Sequence, residues 1–168
     1  LDFTIVAVSD KAKEGKNISD IPCTILDETL GKIIEGENCV VIQHPKGDYK
    51  KTVMKDIRML TLKDDFLIYE SDTLPGSSGA VVIGLGTGEV VALHHSSIPN
   101  KNPQGQWLRK DGGVYKEGDA DETIDWLGNE GIRVSSLIRC IRNIKLSEEM
   151  TSLKNTILGK EQSEKIQN

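Results

Sequence analysis

The chain has 168 residues, with 21 basic and 26 acidic side chains and a formal net charge of −5. Hydrophobic residues make up 37% and charged residues 28%, the balance of a soluble globular domain or parts of two rather than of a disordered chain. No apolar run reaches the ~20 residues of a membrane span, the acidic balance argues against nucleic acid as the main partner, and three scattered cysteines (Cys23, Cys39, Cys140) argue against a disulfide-framed or zinc-ribbon fold.

The chain opens at Leu1 without a methionine or a signal peptide and reads as one that starts partway through a protein. Leu1 to Val8 is rich in β-branched and aromatic residues and predicts a strand. Ser9 to Asn38 is mixed and predicts a linker with little regular structure. Short strands are then predicted at Cys39–Gln43, Thr52–Leu62, Phe66–Tyr69, Ala80–Ile83, Glu89–His95 and Gly131–Ser135. Turn signals separate them, at Pro45-Lys46-Gly47, Lys63-Asp64-Asp65, Pro75-Gly76 and Gly84 to Gly88. Strands this short and this frequent predict an antiparallel barrel or sandwich. Ser97 to Asn129 is a long polar stretch, and a loop of that length in a compact domain is usually functional or mobile. Ser135 to Leu146 predicts a helix with Leu137, Ile138, Ile141 and Ile144 on one face and Ser135 or Ser136 as its cap. Beyond Glu148 only a weak stripe of Leu153, Ile157 and Leu158 remains, and a fraying tail or partial helix is expected.

The most informative stretch is Asp72-Thr-Leu-Pro-Gly-Ser-Ser-Gly-Ala80. A serine flanked by glycines at a tight turn between strands is what a nucleophilic hydroxyl needs. Small neighbours admit a substrate carbonyl, and the N–H groups of Gly76 and Ser78 can converge as an oxyanion hole. Taken alone, Gly-Ser-Ser-Gly reads as a plain hairpin loop, since such loops are common.

This stretch resembles the nucleophile loop of trypsin-like serine peptidases, in particular the bacterial branch that includes glutamyl endopeptidases. The resemblance runs from Thr73-Leu-Pro-Gly-Ser-Ser-Gly79 through Ala80-Val-Val-Ile83 and a glycine turn to Val90-Val-Ala-Leu-His-His95. It continues in Asn129-Glu-Gly-Ile-Arg-Val-Ser135 and the helix after it, and upstream in Ile42-Gln-His-Pro-Lys-Gly47 and Leu1 to Val8, so that it covers roughly residues 1–146. It implies Ser78 as nucleophile, Asp2 as the acid that orients a triad histidine, and the Gly76 and Ser78 amides as the oxyanion pair. Chain order in that family is His, Asp, Ser. With Asp2 at the start of the chain, the histidine is expected upstream of Leu1. Taken without the serine loop, Asp2 reads as a solvated terminal acid.

Three histidines are present. His44 stands before Pro45 and reads as a turn residue, while His94 and His95 are adjacent on a strand, so their side chains point to opposite faces. They are not spaced to ligate one metal. The resemblance implies that His94, with Thr73, binds an acidic substrate side chain, and that the backbone from His95 through Ser96 to Ser97 pairs with the substrate as an added strand. Two ordinary barrel histidines are the competing reading. Asp72, six residues before Ser78, sits where trypsins place an acid that selects Lys or Arg, so the cleavage preference stays open, with a lean toward acidic residues. Were both to reach the pocket, Asp72 and His94 could pair and cancel each other. Gly84-Leu-Gly-Thr-Gly88 lies between two strands with no helix to hold a phosphate and is read as a hairpin turn. The acidic run Glu117 to Asp125 lacks the glycine an EF-hand loop needs at Ile124 and is read as a solvated loop. The serine also lacks the frame of an α/β-hydrolase elbow.

The expected fold is all-β, an antiparallel six-stranded Greek-key barrel with a C-terminal helix. Residues 1–16 are expected to be the last strand of a first barrel, 17–37 the linker between barrels, 38–146 the second barrel with its helix, and 147–168 a polar or partly helical tail. The expected activity is serine endopeptidase action on a peptide or protein, with no cofactor or metal and neither nucleic acid nor membrane as partner. The alternatives are a non-catalytic half-domain that binds, or an unrelated β-domain. A second barrel without the first would expose an apolar face, so a homodimer or a partner chain carrying the first barrel is expected. The compartment is open, since few cysteines are compatible with cytoplasm.

Overall fold

The run Cys39-Val-Val-Ile-Gln43 forms strand β1 and is almost wholly buried, as a strand with neighbours on both edges and cover on both faces must be. Six further strands follow in the computed structural model, which describes residues 1–11, 15–24, 26–54 and 57–158. They are β2 (Lys51–Val53), β3 (Met59–Leu62), β4 (Phe66–Tyr69), β5 (Val81–Gly84), β6 (Val90–Pro99) and β7 (Trp126–Arg133), followed by helices α1 (Val134–Asn143) and α2 (Glu148–Ile157). All pairings are antiparallel, in the order β2-β1-β5-β6-β7-β4-β3. The sheet curls into a barrel-like shell, and its last strand is tied back toward its beginning: the Met59 amide donates to Glu37 O at 2.9 Å, and the Cys39 amide donates to Ile57 O at 3.2 Å.

One apolar cluster fills the inside of the curl, with Cys39, Val41, Met59, Leu67, Tyr69, Val82 and Ala92 at its centre. A second lies between the sheet and α1, where Val90, Ile132 and Val134 meet Leu137, Ile138 and Ile141. The 3.6-residue spacing of the helix's apolar positions is what buries that face. Gly131 permits β6 and β7 to approach. A Cβ there would stand 3.0 Å from Ala92 Cβ and 3.1 Å from Leu93 O, with backbone behind the latter that cannot yield.

Several expectations need correction. Thr52–Leu62 is not one ladder, because β2 pairs with β1 and β3 with β4, at opposite ends of the sheet. Residues 55 and 56 of that stretch, and 159–168 of the tail, lie outside the described residues. Leu1–Val8 forms no ladder with any described strand. Strands need a hydrogen-bonding edge, and here Phe3 alone is held, packed against the α1 cluster. The last strand starts at Trp126 rather than Gly131, because β6 runs ten residues and offers an edge as far as Pro99. Ser135 and Ser136 do not cap α1. They sit inside it, buried, and the Ser136 hydroxyl donates to Asp64 O at 3.2 Å. The weak stripe after Glu148 is the helix α2, capped by Ser147, with Glu148 and Glu149 in its first turn where the helix dipole favours them. Gly84 to Gly88 is the β5–β6 hairpin, closed by the Gly88 amide on Gly84 O at 2.8 Å.

Candidate functional site

The β4–β5 connection follows one wall of a broad cleft, and β6 from His94 to Ser97 with β7 from Trp126 to Asn129 forms the other. The connection is cinched by its own backbone. The Ser77 amide donates to Leu74 O at 3.2 Å, Ala80 to Ser77 O at 2.9 Å, and Gly79 across to His94 O at 2.8 Å. Turns this tight need left-handed residues, and Gly76 and Gly79 supply them with φ of 89° and 88°. Lys46 (φ 57°) also takes that conformation. Its amide donates to Pro75 O at 2.8 Å. Since a trans peptide points its C=O and N–H in opposite directions, that bond turns the Gly76 N–H away from Lys46.

Ser78 stands exposed at the tip of this turn, and its hydroxyl donates to His95 O at 3.4 Å. Neither the Gly76 nor the Ser78 amide donates to a partner among the described residues. Ser77 is the reverse case, 2% exposed with a hydroxyl that has no partner among the described residues. Ser77→Ala should therefore raise the unfolding free energy of the chain by about 1 kcal/mol in urea titrations. A loss of stability would show that the hydroxyl is bonded after all.

The three histidines are all engaged away from Ser78. His44 Nδ1 lies 3.1 Å from Asp48 O, and His95 Nε2 lies 3.1 Å from a Glu130 carboxylate oxygen, with the His95 ring against Phe66. His94 is buried, with Nδ1 2.8 Å from the Tyr69 hydroxyl. Tyr69 is fully buried and Nδ1 is the one acceptor within reach of its hydroxyl among the described residues, so we assign its proton to that bond. The imidazole then keeps its own proton on Nε2. Burial, and after it the neighbouring His95, pushes His94 down to about 4, while burial pushes the Tyr69 hydroxyl far up. As the pH falls, the unfolded chain, with its imidazole at 6.5, takes up the proton first. The stability carried by the neutral ring is thus full above pH 6.5 and lost as the pH falls toward 4. NMR titration of the His94 ring should find its midpoint near pH 4, with the urea midpoint falling across that interval.

A β-bulge shapes the wall. β6 and β7 pair His94 with Gly131 but Ser96 with Glu130, so His95 is an extra residue. In a regular strand His94 and Ser97 would face opposite ways. The bulge returns both to the face that Asn129 and Gly131 share. Asn129 binds this face together. Its Nδ2 donates to Ser71 O at 2.7 Å, and its Oδ1 accepts from Thr73 Oγ1 at 2.5 Å and Ser97 Oγ at 2.8 Å.

The cleft thus gathers Ser78, Gly76, Thr73, Asp72, His94, His95, Ser96 and Ser97. Asp72 is exposed. Its carbonyl, not its carboxylate, is held, by Gln43 Nε2 at 3.2 Å, and Asp72 and His94 form no pair. Asp2 is exposed, does not line the cleft, and has no hydrogen bond or ion pair among the described residues. Sequence reasoning missed Tyr69, Asn129 and Lys46. The last had a signal, since a Pro-Lys-Gly turn can place its central residue in the left-handed region. The other two act through contacts 25 to 58 residues distant in the chain, which no local pattern marks.

No protein-family profile matches the chain. It is 33% identical over 153 residues to the uncharacterized protein y4fB of Sinorhizobium fredii (strain NBRC 101917 / NGR234), an alignment that takes in 82% of this chain and 23% of that protein. The chain therefore spans about a quarter of the curated relative it matches.

Proposed function

We propose that the chain is the second barrel of a trypsin-like serine endopeptidase, with Ser78 as nucleophile. The observation that carries this reading is the Leu74–Gly79 turn: an exposed hydroxyl over a cleft, two unspent amides beside it, and a carbonyl clamp on the Pro75–Gly76 peptide. A closed Greek-key barrel is part of this reading, and the bonds that join Glu37 and Cys39 to Met59 and Ile57 support closure.

In the reaction the Ser78 oxygen attacks the scissile carbonyl carbon while a histidine takes its proton. The oxyanion is held by the Gly76 and Ser78 amides. The histidine then protonates the leaving amine, and water hydrolyses the resulting ester and returns the proton to Ser78. No histidine described here is free to serve, so the base comes from outside these residues, with Asp2 to orient it. The exposed apolar side chains of Ile5, Val6 and Val8 suit a surface that such a domain, or a second copy, would cover.

The test is a fluorophosphonate probe on the full-length protein. Labelling located at Ser78 by mass spectrometry, and lost in Ser78→Ala, supports the enzyme. Labelling of this 168-residue chain at the same rate would contradict the missing base. No labelling in the full-length protein favours the binding-module reading, which the engaged state of all three histidines also suits.

A further inference from the structure

We propose that the pocket beside Ser78 selects a side-chain carboxamide, glutamine or asparagine, over a carboxylate. The inference rests on the proposed function for the role of the cleft. Its own basis is a count of donors and acceptors on named atoms.

The count starts at Asn129. Ser71 O can only accept, so the Asn129 atom facing it at 2.7 Å is the NH2 group. The other amide atom is then the oxygen, which can only accept. It faces both the Thr73 and the Ser97 hydroxyl, so each of these gives it its single proton. What Thr73 and Ser97 have left for a substrate is lone pairs. His94 is the complement. Its Nδ1 is occupied by the Tyr69 proton, and its Nε2–H has no partner among the described residues. The bulge at His95 sets His94 and Ser97 on one face.

One donor beside two acceptors matches a carboxamide, whose oxygen accepts from His94 and whose NH2 donates to Thr73 and Ser97. A carboxylate would find one donor and two opposed lone pairs. The charge of the cleft works in the same direction, since Glu70, Asp72, Asp121 and Glu122 line it against Lys46 and Lys110. The pocket's geometry thus departs from the lean toward acidic residues that the sequence resemblance carried.

The experiment compares two acetylated tripeptide amides that differ only in Gln against Glu. Binding to the full-length protein is read at the His94 Nε2 NMR shift, and cleavage is read separately. The Gln peptide should bind about tenfold or more tightly, because a buried polar group left unpaired is what a site of this kind rejects. Thr73→Val, which keeps the shape and removes an acceptor, should narrow the Gln-to-Glu ratio severalfold. Ser97→Ala serves the same purpose if that variant does not fold. Equal or tighter binding of the Glu peptide overturns the inference. Selective Gln binding without cleavage or probe labelling would leave the pocket assignment standing and overturn the peptidase reading instead.

Discussion

On the proposed peptidase reading, Gly76→Ala in the full-length protein is expected to lower peptide hydrolysis and fluorophosphonate labelling by about 100- to 1000-fold, the usual cost of one lost oxyanion donor. Two effects act together. Gly76 sits at φ 89°, where an alanine is strained, and its new Cβ would stand 3.2 Å from Lys46 N, the atom that holds Pro75 O. Relief of either moves the Pro75–Gly76 peptide and re-aims the N–H. The substitution should cost only about 1–2 kcal/mol of stability, the strain of one misplaced backbone conformation. A folded protein with Ser78 still present but poorly labelled is therefore the expected outcome. Lys46→Gly is the control: it keeps the amide and relieves the backbone, so labelling should persist. Unchanged activity in Gly76→Ala would remove this amide from the mechanism.

The second large effect concerns stability. Ile132 is 0% exposed and lies where β7 turns into α1, between Val90, Val134, Leu137 and Ile138. Ile132→Ala should cost about 2–5 kcal/mol, because the lost transfer free energy adds to a cavity that a sheet and a helix cannot close. The urea midpoint should fall, with the unfolding slope unchanged. Leu153→Ala, at a position 45% exposed on α2, should stay within about 0.5 kcal/mol of the parent. Equal effects at the two sites would mean that α1 is not packed as described. Loss of Ile132 should also loosen Asn129, three residues along the same strand, and so disturb Thr73 and Ser97 before the chain unfolds.

The strands with strong β-branched runs were legible at nearly their true limits. Cys39–Gln43 and Phe66–Tyr69 match residue for residue, because each is short, apolar and bounded by turn residues. The Thr73–Gly79 turn was legible for a related reason: only glycine adopts its left-handed positions freely, so its conformation is written locally. β7 was cut short because Gly-Asn-Glu in its middle carries no strand propensity. Its pairing is imposed by the long edge of β6. Asp2 was assigned by resemblance alone, and no partner for its carboxylate exists among the described residues.

The sequence by itself determined the class of fold, the hairpins and the position of an exposed serine among glycines, since these follow from alternation and backbone sterics within a few residues. Only the tertiary structure decided what the cleft offers a ligand. The proton on His94 is set by Tyr69, 25 residues away, and the lone pairs of Thr73 and Ser97 are set by Asn129, 56 and 32 residues away. Hydrogen-bond direction depends on which groups meet across strands, and the one-residue bulge at His95 decides that meeting. No periodicity in the chain records it.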